Sequence, residues 1–277
     1  MSRSRTAGIE KVIAAPADVA TLVDAAERGL STALDLTAAR DPRTSAAEPV
    51  LPVVVCLWRR HHRLPALMRM LARQRGVVPE LYLWNNDADQ AAATVEMVAA
   101  AQERPEVVWL VNSPSNVGGF GRFFWARQLA ERFPAVVFVD DDEVLDDDVL
   151  ATFLEESGTG RIRSAWAFRF NQRFDYWRRL PARYGEAAKY CGTGGMVSDS
   201  TIFTDPRLFR CPVKYWFCED IWLSYFAATV LKWDLRKSEA DVALLLDESA
   251  QFPVLHKDKA RLFRLLNRRG GWIDPPA

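Results

Sequence analysis

The sequence has few cysteines and no long apolar segment. Four cysteines, at positions 56, 191, 211 and 218, occur among 277 residues, and none of them forms a CxxC pair or a zinc spacing. Such sparse cysteines do not make a disulfide framework, so we expect reduced thiols and a cytoplasmic protein. No stretch approaches the roughly 18 apolar residues of a membrane span, and the N-terminus lacks the apolar region of a signal peptide.

An excess of charge of one sign is also missing. Lysine and arginine total 36, as do aspartate and glutamate, so the formal net charge is zero. This balance argues against a nucleic-acid partner, because proteins that bind nucleic acid by bulk electrostatics concentrate positive charge. The composition is 49% hydrophobic and 26% charged, which is typical of a globular protein. The length allows one large α/β domain or two small ones.

Strand and helix patterns alternate from residue 50 onward. The predicted elements are strand 50–58, helix 63–76, strand 80–87, helix 88–105, strand 106–112, helix 119–133 and strand 135–142. This alternation predicts an α/β fold with a mostly parallel central sheet flanked by helices. In such sheets ligands bind beyond the carboxyl ends of the strands, where polar residues of this sequence collect.

Both ends of the chain depart from this alternation. Residues 1–48 read as a helical appendage and linker, and residues 49–277 as the main domain. In the second half, the patterns predict a helix at 146–157, a strand at 162–171, a glycine-punctuated strand or loop pair at 189–203, and a helix at 213–233. We expect this half to complete a pocket over the first.

The fourth predicted strand ends in the acidic sequence VFVDDDE. In an extended backbone Asp140 and Asp142 point to the same side and Asp141 points away, because side chains alternate with period two. Paired carboxylates suit Mg²⁺ or Mn²⁺ with substrate phosphates. The alternative is a solvated acidic loop before the next helix. We expect Asp146–Asp148 to form the N-cap and first turn of that helix.

Two further motifs carry chemistry. The glycines of NVGGFG lie between the third strand and its helix, where they allow a polar ligand to approach the backbone closely. A dinucleotide-binding fingerprint would instead follow the first strand, so this position disfavours a dinucleotide site. Glu219 and Asp220, at a helix start among aromatic residues, suit a general base or a sugar site, or else only cap the helix. A lone His256 is either structural or a metal ligand.

Together these motifs resemble the GT-A glycosyltransferases, particularly inverting family 2, over roughly residues 50–260. VVVCLWRR resembles the family's opening strand, and LYLWNND the second strand end, which reads the base. NVGGFGRF resembles the glycine turn of galactofuranosyl- and rhamnosyl-transferase relatives, with Arg122 in place of the last glycine. VDDD resembles the DxD motif, CED resembles the acidic motif that carries the general base, and His256 loosely matches a late histidine of the metal site.

The resemblance implies a metal-dependent enzyme that transfers a sugar from a nucleoside diphosphate-sugar donor to an acceptor hydroxyl. It assigns Asp220 as general base with Glu219 beside it, and Asp140, Asp142 and His256 as ligands of Mn²⁺ or Mg²⁺. The implied nucleotide and sugar contacts are Leu57, Arg59, Asn85, Asn86, Asn116, Gly118, Gly119, Arg122, Asp140, Asp141, Gly194 and Trp216. The acceptor is a glycan, a glycolipid or a small molecule.

Several alternatives stay open at this stage. CED also resembles retaining, exostosin-like GT-A enzymes, which leaves the stereochemical outcome undecided. The rival functions are a sugar-1-phosphate nucleotidyltransferase, disfavoured because CLWRRHHRLP lacks glycines, and a non-catalytic carbohydrate-binding protein. The arginine- and aromatic-rich segment 161–184 suits an ordinary surface strand, an acceptor bearing phosphate, or peripheral contact with the inner membrane face. A homo-oligomer is also left open.

Overall fold

The computed structural model describes Ile9 and residues 12–38, 48–171, 175–245 and 252–273. Its strands are β1 (Leu34–Asp35), β2 (Val50–Leu57), β3 (Val78–Asn85), β4 (Val108–Asn112), β5 (Ala135–Asp140), β6 (Glu143–Leu145), β7 (Arg161–Ser164), β8 (Ala167–Phe170), β9 (Arg179–Pro181), β10 (Tyr190–Cys191), β11 (Met196–Asp199), β12 (Asp234–Lys237) and β13 (Val242–Leu244). Its α-helices are α1 (Pro16–Ser31), α2 (Leu64–Ala72), α3 (Ala91–Ala100), α4 (Gly121–Leu129), α5 (Val149–Glu156), α6 (Glu219–Tyr225) and α7 (His256–Leu265).

An eight-stranded sheet with the order β1-β4-β3-β2-β5-β11-β7-β12 forms the centre of the molecule. Strands β4, β3, β2 and β5 are parallel, which confirms the predicted alternation of strands and helices. The chain runs from β2 outward to β3 and β4, then returns to place β5 on the other side of β2. The crevice at the carboxyl ends of β2 and β5 is therefore the point where ligands of such sheets bind.

Hydrophobic residues fill both faces of this sheet. Along β2, Val53 and Val55 belong to the core beneath α2, α3 and α5, whereas Val54 belongs to the core shared with α1, α4, α6 and α7. Along β5, Val137 and Phe138 divide between the two cores in the same way. Successive side chains of a strand point to opposite faces, so a strand covered on both sides is apolar throughout.

The predicted strand 162–171 is divided between two sheets. Residues Arg161–Ser164 form β7 of the central sheet, and Ala167–Phe170 form β8 of a three-stranded antiparallel sheet with the order β10-β8-β9. At the break, the backbone N–H of Trp166 donates to the Ser164 hydroxyl at 3.0 Å. This turn directs Trp166 toward the carboxyl end of β5, where its indole donates to Glu143.

The helix predicted at 146–157 begins later, at Val149. The carbonyl groups of Asp146 and Asp147 instead accept hydrogen bonds from the Gln74 side chain and the Arg75 backbone, at 2.8 and 2.7 Å. Asp148 occupies the N-cap position, but its side chain makes no capping hydrogen bond. The predicted first-turn role of these aspartates is therefore wrong, because contacts with the end of α2 hold the preceding residues outside the helix.

The predicted helix 213–233 also changes character along its length. A 3-10 segment, Val213–Cys218, precedes α6, and a π-helical segment, Phe226–Leu231, follows it. The second π-helical segment, Leu266–Gly270, follows α7. None of the described helices is both long enough and apolar enough to cross a bilayer.

The N-terminal segment lies against the main body of the protein. Leu34 and Asp35 of β1 pair with β4 in antiparallel register. Val19 and Ala26 of α1 are buried in the larger hydrophobic core, as are Ile9 and Val12. The division into an appendage at 1–48 and a domain at 49–277 stays a prediction, but the described part of the appendage shares its core with the domain.

Candidate active site at the carboxyl ends of the parallel strands

A cavity of about 570 Å³ opens at the carboxyl ends of β2 and β5. This volume is in the usual range for small-molecule sites. Its wall is formed by strand ends, by the start of α6 and by the turn with the sequence NVGGFG at residues 116–121, called the glycine turn below. The predicted site residues that line it are Asn86, Asn116, Gly118, Gly119, Arg122, Asp140, Asp141, Asp142, Gly194, Glu219 and Asp220.

Two arginines contact the three aspartates of the acidic strand end. Arg122 donates to Asp140 at 2.7 Å, and Arg60 contacts both Asp141 at 2.9 Å and Asp142 at 3.1 Å. Strand β5 ends at Asp140, and the next two residues form a turn. The alternation of side-chain direction expected for Asp140, Asp141 and Asp142 therefore does not continue past the strand. The three carboxylates nevertheless differ in how far they are exposed to solvent. The Asp140 and Asp142 side chains are 38% and 22% exposed, whereas Asp141 is only 8% exposed.

Burial also shifts the ionisation of this cluster. It raises the pKa of Asp141 to about 6, although Arg60 opposes the shift. Burial and the neighbouring Asp140 raise the pKa of Asp142 above its ordinary value. These shifts follow from the cost of holding several negative charges together away from water.

Arg122 connects three parts of the site. It lies in the first turn of α4, and its side chain is 4% exposed. Besides Asp140, its guanidinium donates to the carbonyls of Thr193 at 3.0 Å and Gly119 at 3.1 Å, and it lies 3.9 Å from Glu219. A planar group with five fixed donors can hold several acceptors in one arrangement. Arg122 thereby ties the strand end to the glycine turn.

The glycine turn lies directly against α6. Gly118 has a φ of +64°, a conformation that favours glycine. A Cβ atom at Gly119 would lie 1.9 Å from the Glu219 carboxylate, so a larger residue there must displace it. The Asn86 side chain holds the turn by accepting from the Val117 backbone at 3.0 Å and donating to the Gly118 carbonyl at 3.1 Å.

Asp220 is the acceptor at the centre of a buried network. Its Oδ2 accepts hydrogen bonds from the Tyr190 hydroxyl and from the Lys259 ammonium, both at 2.6 Å. Burial alone would raise the pKa of Asp220, but Lys259 and the hydrogen bonds hold it below its ordinary value. Asp220 therefore carries a negative charge at neutral pH.

Glu219 differs from its neighbour in charge environment. Its Oε1 accepts from the Thr193 hydroxyl at 2.9 Å. Burial raises the pKa of Glu219 to about 6, against the opposing charge of Arg122. Two adjacent carboxylates therefore have pKa values displaced in opposite directions, an arrangement that suits different roles in one site.

Glu143 also lines the cavity and was not among the predicted site residues. Its Oε2 accepts from the backbone N–H groups of Asp140 and Gly195, each at 2.8 Å, and its Oε1 accepts from the Trp166 indole at 2.7 Å. Burial and then Asp140 raise the pKa of Glu143 to about 8. A single glutamate after three aspartates carries no sequence pattern that distinguishes this role from a solvated loop.

Three predicted nucleotide contacts lie outside the cavity wall. Leu57 is fully buried in the core at the end of β2. Asn85 is also buried, where it bonds His61 and Asn112, each at 2.9 Å, and so holds neighbouring chain segments together. Arg59 adopts a φ of +62° and does not line the cavity, whereas the next residue, Arg60, does.

Two other predicted residues pack on aromatic rings away from the wall. Trp216 is 1% exposed and stacks on Phe120, with ring centroids 4.5 Å apart. The His256 ring lies 4.0 Å from the Trp177 ring, at the start of α7. Its assignment as a metal ligand stays a prediction. Within the described residues, no group of three histidine, cysteine, aspartate or glutamate side chains is arranged to hold a metal ion.

Comparison with known proteins identifies the fold through structure and not through sequence. No protein-family model matches the chain, and no curated protein matches it. Solved structures do match. One is a mannosyltransferase, PcManGT from Pyrobaculum calidifontis, in complex with GDP-Man and Mn²⁺, at a TM-score of 0.51 and 15% identity. Another is GalNAc-T7 with UDP, GalNAc and Mn²⁺, at a TM-score of 0.54 and 12% identity.

The chain has a GT-A fold. The alignments cover 80% and 79% of this chain, but only 62% of the mannosyltransferase and 48% of GalNAc-T7. The chain thus spans less than two thirds of either structure. At this identity the GT-A likeness concerns the arrangement of strands and helices, so any function has to be argued from the residues of the cavity.

Proposed function

We propose that the protein is a glycosyltransferase that moves a sugar from a nucleoside diphosphate-sugar donor to an acceptor hydroxyl. The observation that carries the proposal is the convergence, in one cavity, of the acidic strand end, the glycine turn and the carboxylates of α6. The cavity lies at the ligand-binding edge of the sheet. The bound nucleotides and Mn²⁺ named for the two similar structures support the same chemistry here.

Asp140 and Asp142 are the carboxylates of this cavity that would hold a divalent cation. Asp140 and Asp142 are the two aspartates of the cluster that remain partly exposed, and each contacts an arginine through one oxygen. Mg²⁺ and Mn²⁺ are commonly held by one or two carboxylates together with substrate phosphates. A bound cation would supply Lewis-acid stabilisation of the departing diphosphate.

The protein's own residues account for the remaining steps. Arg60 and Arg122 supply fixed positive charge beside the place assigned to the diphosphate. Asp220 accepts the proton of the acceptor hydroxyl as the oxygen attacks the anomeric carbon. Tyr190 and Lys259 orient its carboxylate through their hydrogen bonds. Direct attack of this kind inverts the configuration of the sugar.

The donor half of the proposal is tested by ligand binding. We expect UDP, GDP or dTDP to raise the unfolding temperature of the wild type when Mn²⁺ is present, because a ligand bound to the native state stabilises it. Asp142→Ala should abolish this shift. Asp147→Ala is the matched control, since Asp147 is exposed and lies outside the cavity wall. The absence of binding by all three nucleotides would overturn the proposal, and full transfer activity in EDTA would overturn the metal role.

The catalytic half is tested by transfer itself. We expect Asp220→Asn to keep donor binding but to lose a factor of about 10²–10⁴ in turnover, the usual contribution of a general base. Anomeric configuration of the product, followed by NMR, decides the stereochemistry. Near-normal turnover of the variant, or a product with retained configuration, would exclude Asp220 as the base.

A further inference from the structure

Arg179 lies in an aromatic cage at the wall of the cavity. The carbon at the centre of its guanidinium is 4.5 Å from the ring centroid of Tyr176, 4.8 Å from Phe168, 5.3 Å from Trp177 and 5.9 Å from Tyr190. The small antiparallel sheet creates this arrangement by placing Phe168 opposite Tyr190 in adjacent strands, with Arg179 in the third strand. Rings on several sides restrict the orientation of the guanidinium.

The charge of Arg179 has no acidic partner within the part of the chain that the structure describes. No carboxylate there forms a salt bridge with it, and its Nε is buried without a hydrogen-bond partner. Its neighbour Arg178, by contrast, is 66% exposed and lies 3.4 Å from Asp175. Aromatic faces attract a cation but cannot satisfy its N–H donors. At a cavity wall, the terminal nitrogens of a guanidinium can bind a planar or tetrahedral oxyanion through two parallel hydrogen bonds.

The position of the cage indicates which substrate would carry that anion. Tyr190, one of its walls, donates to Asp220 at 2.6 Å, so the cage adjoins the candidate general base. The residues proposed for the donor diphosphate and its cation, among them Arg122 and Asp140, are carried by α4 and by the end of β5. An anion at Arg179 would instead lie beside the candidate base, where the acceptor hydroxyl has to be.

We propose that Arg179 and its aromatic cage form a subsite for a phosphate or carboxylate group of the acceptor. This inference rests on the proposed glycosyltransferase function, because it names the acceptor class of that same site. It also assigns a role to the arginine- and aromatic-rich segment of the sequence. The aromatic residues hold the guanidinium in place, and the guanidinium selects an acidic acceptor over a neutral one.

Calorimetric titration of the 277-residue chain with phenyl phosphate, benzoate and benzyl alcohol tests the subsite. We expect the two anions to bind more tightly than the neutral alcohol. Arg179→Gln should weaken anion binding at least tenfold, and Arg178→Gln, the matched control, should leave it unchanged. Equal binding of anions by wild type and Arg179→Gln, or no preference for anions over benzyl alcohol, would overturn the proposal.

Repeating the titration with saturating nucleoside diphosphate separates the acceptor from the donor. We expect phenyl phosphate to bind as well as before, because the two anions would occupy different ends of the cavity. Displacement of phenyl phosphate by the nucleotide, or an equal loss of nucleotide affinity in Arg179→Gln, would overturn the assignment to the acceptor. If no nucleotide binds at all, the glycosyltransferase function fails, while the anion titration still reports on Arg179 by itself.

A measurement on the wild type covers the case in which Arg179→Gln does not fold. Phenylglyoxal modifies arginine side chains, and peptide mapping locates the modified positions. We expect phenyl phosphate to reduce the labelling of Arg179 severalfold and to leave the labelling of Arg178 unchanged. Labelling of Arg179 that does not respond to phenyl phosphate would contradict the subsite.

Discussion

At the scale of single residues, Asp220 and Lys259 form a buried ion pair at the α6 end of the cavity. Both side chains are about nine-tenths buried and lie 2.6 Å apart. Among the described residues, Tyr190, Tyr176, Glu219 and Cys218 are further titratable groups near the pair. Removing one partner of a buried ion pair leaves the other charge uncompensated, so each partner controls the ionisation of the other.

We predict that Lys259→Met moves the acid limb of the turnover–pH profile upward by about 1–3 pH units, the usual effect of a close opposite charge on a carboxylate. Lys259 lowers the pKa of Asp220, so the wild-type base stays ionised into the acid range, and its loss lets burial raise that pKa. Turnover measured against pH checks this. Lys257→Met, on the exposed side of α7, is the control, and an unshifted acid limb would contradict the prediction.

The same pair predicts how stability depends on pH. Asp220 has a lowered pKa in the folded state. Its contribution to stability is therefore fully present above the ordinary pKa of 3.8 and is lost as the pH falls through the folded pKa. Lys259 has a raised pKa, so its contribution is present below 10.5 and is lost as the pH rises through the folded value. Urea unfolding across this range should therefore show a smaller destabilisation by Lys259→Met below about pH 4 than at neutral pH.

A second residue-scale prediction concerns Glu143. Its carboxyl group accepts hydrogen bonds from two backbone N–H groups and from the Trp166 indole. In Glu143→Gln the amide oxygen can still accept from the backbone, but its NH₂ group then faces the indole N–H. We expect a loss of about 1–3 kcal/mol in the free energy of unfolding, the cost of an unsatisfied buried donor. The cost should shrink in a Trp166→Phe background, and an equal cost there would contradict the explanation.

At the scale of elements, the glycine turn and the start of α6 are fitted to one another. The turn is a single 3-10 segment, Gly118–Phe120, between β4 and α4. Gly119 has no positive φ, so its need for glycine comes from the space occupied by the Glu219 carboxylate and not from backbone strain. The same carboxylate bonds Thr193, so the turn, the helix and the 192–195 loop are packed as one unit.

We predict that Gly119→Ala costs about 1–3 kcal/mol of unfolding free energy, the range for inserting a group into a packed site. The new methyl group must push Glu219 away from Thr193. Chemical denaturation of Gly119→Ala, Glu219→Ala and the double variant checks the cause. Because Glu219→Ala removes the obstructing carboxylate, the alanine at position 119 should cost much less in that background. Additive costs would show that the contact is not responsible.

At the scale of the whole molecule, the N-terminal segment is built into the fold. Strand β1 covers the edge of β4, and α1 packs on the face of the sheet that also carries α4. An uncovered strand edge exposes unpaired backbone groups, and removal of α1 exposes apolar core residues to water. The sequence pattern of a helix followed by a linker cannot by itself distinguish a detachable appendage from such a covering segment.

We predict that deletion of residues 1–48 lowers the free energy of unfolding by at least about 3 kcal/mol, the value of a few buried aliphatic side chains. Urea unfolding of the full and shortened chains measures the difference. A milder comparison uses α1 alone: Val19→Ala, in the core, should cost about 1–3 kcal/mol, and Thr21→Ala, on the exposed face, should be close to neutral. A shortened chain with unchanged stability would establish the segment as a separate appendage.

Much of the fold and part of the site could be predicted from local pattern. Apolar runs and helical periodicity located the four parallel strands. The acidic strand end, the glycine turn and the α6 carboxylates were predicted to belong to one site, and they line one cavity. The break after Asp140 escaped prediction because a turn within an acidic run has no distinct periodicity. The burial of Trp216 and Asn85 escaped it as well, since an aromatic or amide residue beside a motif is compatible with either a cavity wall or a core.

The sequence by itself determined the order of the elements and the accumulation of acidic residues at one strand end, because both depend on neighbours within a few positions. Only the tertiary structure decided which basic side chains form ion pairs with the acidic residues of the cavity. Arg60 lies 81 positions from Asp141, and Lys259 lies 39 positions from Asp220. The cage around Arg179 likewise depends on strand pairing. Charge compensation acts through space, so the partners of a buried charge are selected by the fold and not by the residues beside it in the chain.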